Sequence, residues 1–187
     1  MERVFQYVFL AWGTGEALMA IVRRARGVKA EGHDRGSLLV VVAAITAGIF
    51  AAQRVRGAAL APIAMAAQSR LTIALAFFVV GVIIRWWSVF TLGRFFTVDV
   101  AIQQSHEVVQ GGPYRWLRHP SYTGALIAFV GIGLAFGDWL ALTALLVPVI
   151  AAIMYRVRVE EKALVGALGA NYTEYSARTK RLIPGVY

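Results

Sequence analysis

Five apolar runs, each close to the length that crosses a bilayer, dominate this chain and leave it few ways to fold. They lie at residues 5–22, 37–53, 71–90, 121–136 and 139–155. A membrane-crossing helix takes roughly 17–25 mostly apolar residues. Lipid offers the backbone no water to bond, so each run must satisfy its own N–H and C=O groups, and a helix does so without a neighbour. The run at 71–90 is rich in β-branched and aromatic residues, which favour strands in water; in a bilayer the backbone requirement wins. The expected fold is all-α and integral to a membrane, with about five transmembrane helices.

Composition agrees. Hydrophobic residues make up 59% of the chain and charged residues 16%, against about 25% charged in an ordinary soluble domain. Five spans consume most of 187 residues, so residues 1–187 read as one membrane domain. The chain has no cysteine, which excludes disulfide and thiolate chemistry. His33, His106 and His119 lack the spacing of metal ligands, and no metal is expected. A net charge of +9 would suggest nucleic acid for a soluble protein. Beside apolar spans it reflects the positive-inside rule and contact with anionic lipid instead. The expected partners are membrane lipids, not nucleic acid.

The stretch at 17–20 loosely resembles a signal-peptidase site, but Arg23, Arg24 and Arg26 follow the first run rather than precede it, and Glu16 interrupts it. A retained helix is expected, and Glu16 has no evident task in the sequence. Residues 58–67, with Pro62, are apolar but too short to span and read as an interfacial or re-entrant piece. Gly137-Asp138 joins the last two runs so tightly that they must form an antiparallel hairpin. Of the 19 lysines and arginines, all but Arg3, Arg54, Arg56 and Arg70 fall on one side if the amino terminus is outside. The expected orientation is amino terminus out and carboxyl terminus cytoplasmic, which five spans satisfy.

Three clusters carry candidate chemistry. In Gly111-Gly112-Pro113-Tyr114-Arg115-Trp116-Leu117-Arg118-His119-Pro120-Ser121-Tyr122, Pro120 suits the first position of the fourth helix and His119 its cap. The free N–H groups there, with Arg118 and His119, suit an anionic group; a headgroup anchor of Tyr, Trp and Arg is the plainer alternative. In Arg156-Val157-Arg158-Val159-Glu160-Glu161, adjacent carboxylates at the end of the fifth helix would meet the negative end of its dipole, a local cost that points to a site. The alternative is a solvated charged face. Arg85, deep in the third run beside Trp86 and Trp87, is either functional or snorkelling.

These residues also carry a resemblance. Arg85-Trp86, Leu92-Gly93, GPYRWLRHPSYTG at 112–124, RVRVEE at 156–161, LGANYTEY at 168–175 and Leu182-Ile183-Pro184 are similar to the isoprenylcysteine carboxyl methyltransferase family, prokaryotic members included. The resemblance runs from about Arg85 to Pro184, and the amino-terminal third matches in hydropathy alone. It implies an S-adenosylmethionine-dependent methyltransferase whose cytoplasmic cofactor pocket is formed by the C-terminal half, residues 85–187, with 1–84 supplying amino-terminal membrane helices. Gly112, Pro113, Tyr114, Arg118, His119, Tyr122 and Glu160 would line the cofactor pocket. Arg85, Arg156 and Glu161 would be catalytic, beside a lipophilic acceptor entering from the bilayer. The setting would be a prokaryotic inner or plasma membrane.

The acceptor stays open at this point. Carboxyl O-methylation of an isoprenylcysteine-like or other lipophilic acid comes first. An amine acceptor, as in phospholipid N-methyltransferases, would give Glu161 a proton to accept. An NADPH-dependent sterol-type reductase ranks third, for want of an obvious 2′-phosphate clamp. A non-enzymatic lipid-binding or assembly protein is the alternative of a different kind.

Overall fold

A computed structural model of the protein describes residues 2–25, 30–34, 36–96, 100–103, 107–183 and 185. Arg26, Lys29, Arg35, His106 and Pro184 lie outside the described residues. Among the described residues six α-helices follow one another: α1 Glu2–Ala25, α2 Gly36–Ala58, α3 Ala67–Leu92, α4 Pro120–Phe136, α5 Trp139–Leu168 and α6 Ala170–Arg178. Each of the five apolar runs sits within its own helix, α1 to α5. Three of these, α2, α3 with its continuation to Phe95, and α5, are long and apolar enough to cross a membrane. α4 is apolar but has 17 residues; α1 has 24 but is less apolar than the others.

The packing is that of a membrane protein. Where α2, α3 and α4 face their neighbours they present small residues. A Cβ on Gly81 would come 2.4 Å from the Ala128 N, one on Gly124 would come 2.6 Å from the Arg85 N, and one on Gly131 would come 2.5 Å from the Ala74 O. Small residues let helix backbones approach when lipid removes the hydrophobic drive to associate. Phe78, Phe129, Ile132, Leu145 and Val149 fill the core between them. Large side chains point outward instead, among them Leu39, Phe50, Phe77, Ile83 and Val147. An exposed apolar surface of that kind marks a membrane-facing belt.

The two ends of the bundle are built differently. At one end, residues 59–66 lie against the α4–α5 turn. Ala61 donates its N–H to the Asp138 Oδ2 at 2.8 Å, Ile63 N–H reaches the Gly137 carbonyl and Trp139 N–H the Ala61 carbonyl. Asp138 also caps α5, accepting from Leu140 and Ala141 N–H. Arg70 closes α4 by donating to the Leu134 and Ala135 carbonyls. At the other end the expectation of an all-α chain needs correction. Strands β1 (Ala30–Asp34) and β2 (Val100–Gln103) pair antiparallel, Glu31 opposite Ile102. They belong to the α1–α2 and α3–α4 connections, and two loops that share an end can satisfy extended backbone against each other.

α5 supplies a second correction. It runs on to Leu168, well past the apolar run that ends at 155, so Glu160 and Glu161 lie about two turns inside the helix. The dipole's cost is confined to the last turn and does not bear on them.

Candidate active site

The amino end of α4 is where the candidate residues meet. His119 has a non-helical backbone and Pro120 opens the helix, as the order His-Pro requires. The imidazole makes no capping bond. It turns to α5, with Nε2 3.4 Å from the Glu161 Oε1 and Nδ1 3.8 Å from the Glu160 Oε2. The first turn of α4 reaches Glu160 as well. Tyr122 donates its hydroxyl to the Glu160 Oε2 at 2.9 Å and accepts from the Arg156 Nε at 2.8 Å. Arg156, buried, also donates to the Ser37 Oγ at the start of α2.

Glu161 is gripped from three sides. Arg118 donates through Nε to Oε1 at 2.8 Å and Arg181 through Nε to Oε2 at 2.9 Å, while the His119 ring lies against Oε1. Glu160 is more open: its side chain is 31% exposed against 13% for Glu161. The two adjacent carboxylates thus have different surroundings, one engaged by cations and one with a free edge.

A strap from the tail closes this cluster. Arg118 and His119 donate their N–H groups to the Lys180 and Arg181 carbonyls, and Lys180 N–H returns to the Trp116 carbonyl. The Arg118 guanidinium reaches the Ser176 and Thr179 carbonyls, and Thr123 donates its hydroxyl to the Leu182 carbonyl. From α6, the Tyr175 hydroxyl donates to the Tyr114 and Leu117 carbonyls; burial pushes its phenol up to about 12, so it remains a donor. Gly112, at φ +54°, opens the turn that carries Pro113 and Tyr114 inward, and a Cβ there would come 3.0 Å from the Thr91 Oγ1. Burial, then the charge of Glu160, pushes the Tyr114 phenol well above the ordinary tyrosine value, and Arg85 acts on it in the opposite sense. Tyr114 therefore lies within reach of both charges.

One buried group in this cluster has no partner among the described residues. The Tyr172 hydroxyl on α6 makes no hydrogen bond among the described residues, although the residue is only 4% exposed. Burial and then Glu161 and Glu160 raise its pKa, against a lowering by Arg118. Both carboxylates are near enough to act on it electrostatically, and no described group bonds it.

Several proteins similar to this chain are enzymes by name. The sequence profile of the isoprenylcysteine carboxyl methyltransferase family matches residues 74–166. Those residues, just under half of the chain, are similar to that family. It is 32% identical over 114 residues to protein-S-isoprenylcysteine O-methyltransferase B of Arabidopsis thaliana, spanning 60% of this chain and 58% of the relative. With protein-S-isoprenylcysteine O-methyltransferase A of the same plant it shares 34% over 110 residues, covering 58% and 56%. Among solved structures it resembles the eukaryotic intramembrane Ras methyltransferase, at 27% identity and TM-score 0.54, over 62% of this chain and 42% of that one. The chain thus spans less than two thirds of the length of these relatives.

The family segment holds Arg85, Gly112 to Tyr122, Arg156, Glu160 and Glu161. Several residues the fold adds to them lie outside it: Glu16 on α1, Ser37 on α2, Tyr172 and Tyr175 on α6, and Arg181. Glu16 receives the Arg85 guanidinium in a two-pronged pair, Nε to Oε1 and Nη2 to Oε2, both at 2.6 Å. A charge inside an apolar run was the one signal in sequence that could have singled out Glu16. Tyr172 and Tyr175 fall in the LGANYTEY stretch that carries the resemblance, but nothing local gives them a task; Ser37 and Arg181 are unmarked, because their roles come from tertiary contact alone.

Proposed function

We propose that this protein is an integral-membrane S-adenosylmethionine-dependent methyltransferase acting on the carboxylate of an isoprenylcysteine-like or other lipophilic acceptor. The setting proposed is a prokaryotic plasma membrane, with five spans, the amino terminus outside and the pocket, within 85–187, on the cytoplasmic side. The observation that carries the reading is the meeting of His119, Tyr122 and Glu160 beside the unpartnered Tyr172 hydroxyl.

That cluster fits the donor chemically. A buried hydroxyl with no bond is costly unless a ligand completes it, and the donor's amino-acid carboxylate is an acceptor for it. The free edge of Glu160 suits the donor's ammonium, and Gly112, Pro113, Tyr114 and Arg118 frame the same pocket. S-Adenosylmethionine supplies, when bound, a methyl group on a positively charged sulfur. Arg85 and Arg156 are the cations that would orient an acceptor carboxylate, Arg85 through a planar fork that matches two oxygens. Lipid on the outer face of the helices keeps water from that carboxylate, and fixed dipoles replace its hydration.

A carboxylate attacking a methyl group needs no base. That favours a carboxyl acceptor over an amine, because Glu161 is too fully engaged by Arg118, Arg181 and His119 to collect a proton readily. Glu161 enters this proposal as the residue that fixes His119 and the tail strap.

The test uses detergent-solubilised protein. S-Adenosylhomocysteine is expected to raise its melting temperature and to give heat in calorimetry. Labelled methyl is expected to pass to N-acetyl-S-farnesylcysteine, and not to a long-chain amine. Silence from both donor and demethylated product, or stabilisation by NADPH instead, would rule the reading out.

A further inference from the structure

Arg85 already holds a carboxylate. Glu16 meets it with both oxygens, the Trp12 indole donates to the Glu16 Oε1 at 3.1 Å, and the remaining Arg85 Nη1 donates to the Ser121 Oγ at 2.9 Å. Both side chains are mostly buried, Arg85 17% and Glu16 20% exposed. An arginine at this depth needs a counter-ion, and leaving one buried without it is strongly destabilising. Ser121, which completes the Arg85 shell, is the direct neighbour of Tyr122, which bonds Glu160. Arg85 thus links Glu16 on α1 to the amino end of α4, the end at which His119 and Tyr122 meet Glu160.

From this geometry we infer that Glu16 is an internal stand-in for the acceptor's carboxylate, occupying the Arg85 fork until an anionic acceptor displaces it. The inference rests on the carboxyl-methylation reading. Exchanging one carboxylate for another leaves the charge beside Arg85 unchanged, so the guanidinium is never stranded without a counter-ion. Transfer then forms the O–CH3 bond of an ester and breaks S–CH3, turning a sulfonium into a neutral thioether with no proton moved. The ester has lost the charge that made it a match for the fork. Glu16 returns, and the product loses its hold. α1, outside the family segment, would thus set selectivity for acids over their esters and speed release of the product.

The test compares binding of N-acetyl-S-farnesylcysteine and of its methyl ester to the wild-type protein and to Glu16→Gln. Removing the competitor is expected to tighten binding of the acid about tenfold and to leave the ester unchanged. The ligand-free variant should melt lower than wild type, and the acid should restore more of its stability than the ester does. Should Glu16→Gln not be recovered folded, Glu16→Asp carries the same comparison, because it keeps the charge but falls one carbon short of the two-pronged contact. Equal gains for acid and ester, or weaker binding of the acid, would overturn the role of Glu16. Failure of the acid to bind wild type and variants alike would instead remove the carboxyl-acceptor reading on which it rests.

Discussion

Single atoms decide the sharpest questions here, and the Tyr172 hydroxyl is the clearest case. A buried polar group without a partner costs about 1–3 kcal/mol, so Tyr172→Phe should leave the melting temperature of the ligand-free protein unchanged or raise it. If that hydroxyl completes the donor pocket, the same substitution should weaken S-adenosylhomocysteine about tenfold, the equivalent of one charge-assisted hydrogen bond. Calorimetry beside thermal melting reads both numbers. A lowered melting temperature with unchanged affinity would show the hydroxyl to be structural. Local rules marked His-Pro as a helix start and the adjacent acids as a separate candidate cluster; only the family resemblance put His119, Tyr122 and Glu160 in one neighbourhood. It could not say that Glu161 faces two arginines while Glu160 keeps an open edge. That difference comes from Arg181 and the tail, which no local pattern ties to α5.

Helices carry the next level. The five apolar runs were legible because lipid imposes one solution on the backbone, and the Gly137-Asp138 turn fixed the hairpin of α4 and α5. The true length of α5 was not legible. Polarity after residue 155 reads as a helix end, whereas the helix continues through the polar region because Arg156, Glu160 and Glu161 find partners on α4 and in the tail. The ribbon of β1 and β2 escaped notice for a similar reason, as each strand is short and finds its partner about seventy residues away. The contact of α3 with α4 is where an element most directly shapes the site. Gly124 packs on the Arg85 backbone, and Gly81 packs on the Gly124 carbonyl and Ala128. Gly124→Val should push the two helices apart, at a cost of about 1–3 kcal/mol or more, and carry Ser121 away from Arg85. A lowered melting temperature with weakened binding of the farnesylated acid is the expected pair of results. Gly166→Ala, where an added Cβ meets open space, is the control that should change neither.

At the scale of the whole molecule, the count of crossings governs which face holds the site. Length and apolarity alone admit three helices, α2, α3 and α5. α4 spans about 26 Å at 1.5 Å per residue, close to the hydrocarbon core, and it is the most enclosed helix of the bundle, with its amino end held by the tail and its carboxyl end by Arg70. It can therefore cross while showing lipid little of its surface. The contacts between loops agree with five crossings: residues 59–66 touch the 137–138 turn at one end, and the β1 and β2 connections pair at the other. A chain without cysteine allows this to be read directly with single cysteines at exposed positions: Val4, Ser69 and Glu174. Five crossings put Val4→Cys and Ser69→Cys on one side and Glu174→Cys on the other. If only α2, α3 and α5 cross, Ser69→Cys and Glu174→Cys share a side instead; if α1 alone fails to cross, Val4→Cys and Ser69→Cys part company. With the amino terminus outside, an impermeant maleimide applied to intact cells should label the first two, and Glu174→Cys only after the membrane is opened. The strap from α6 over His119 and Glu161 would then lie in the cytoplasm, the compartment that would supply the proposed methyl donor, and the proposed acceptor would reach Arg85 from the bilayer.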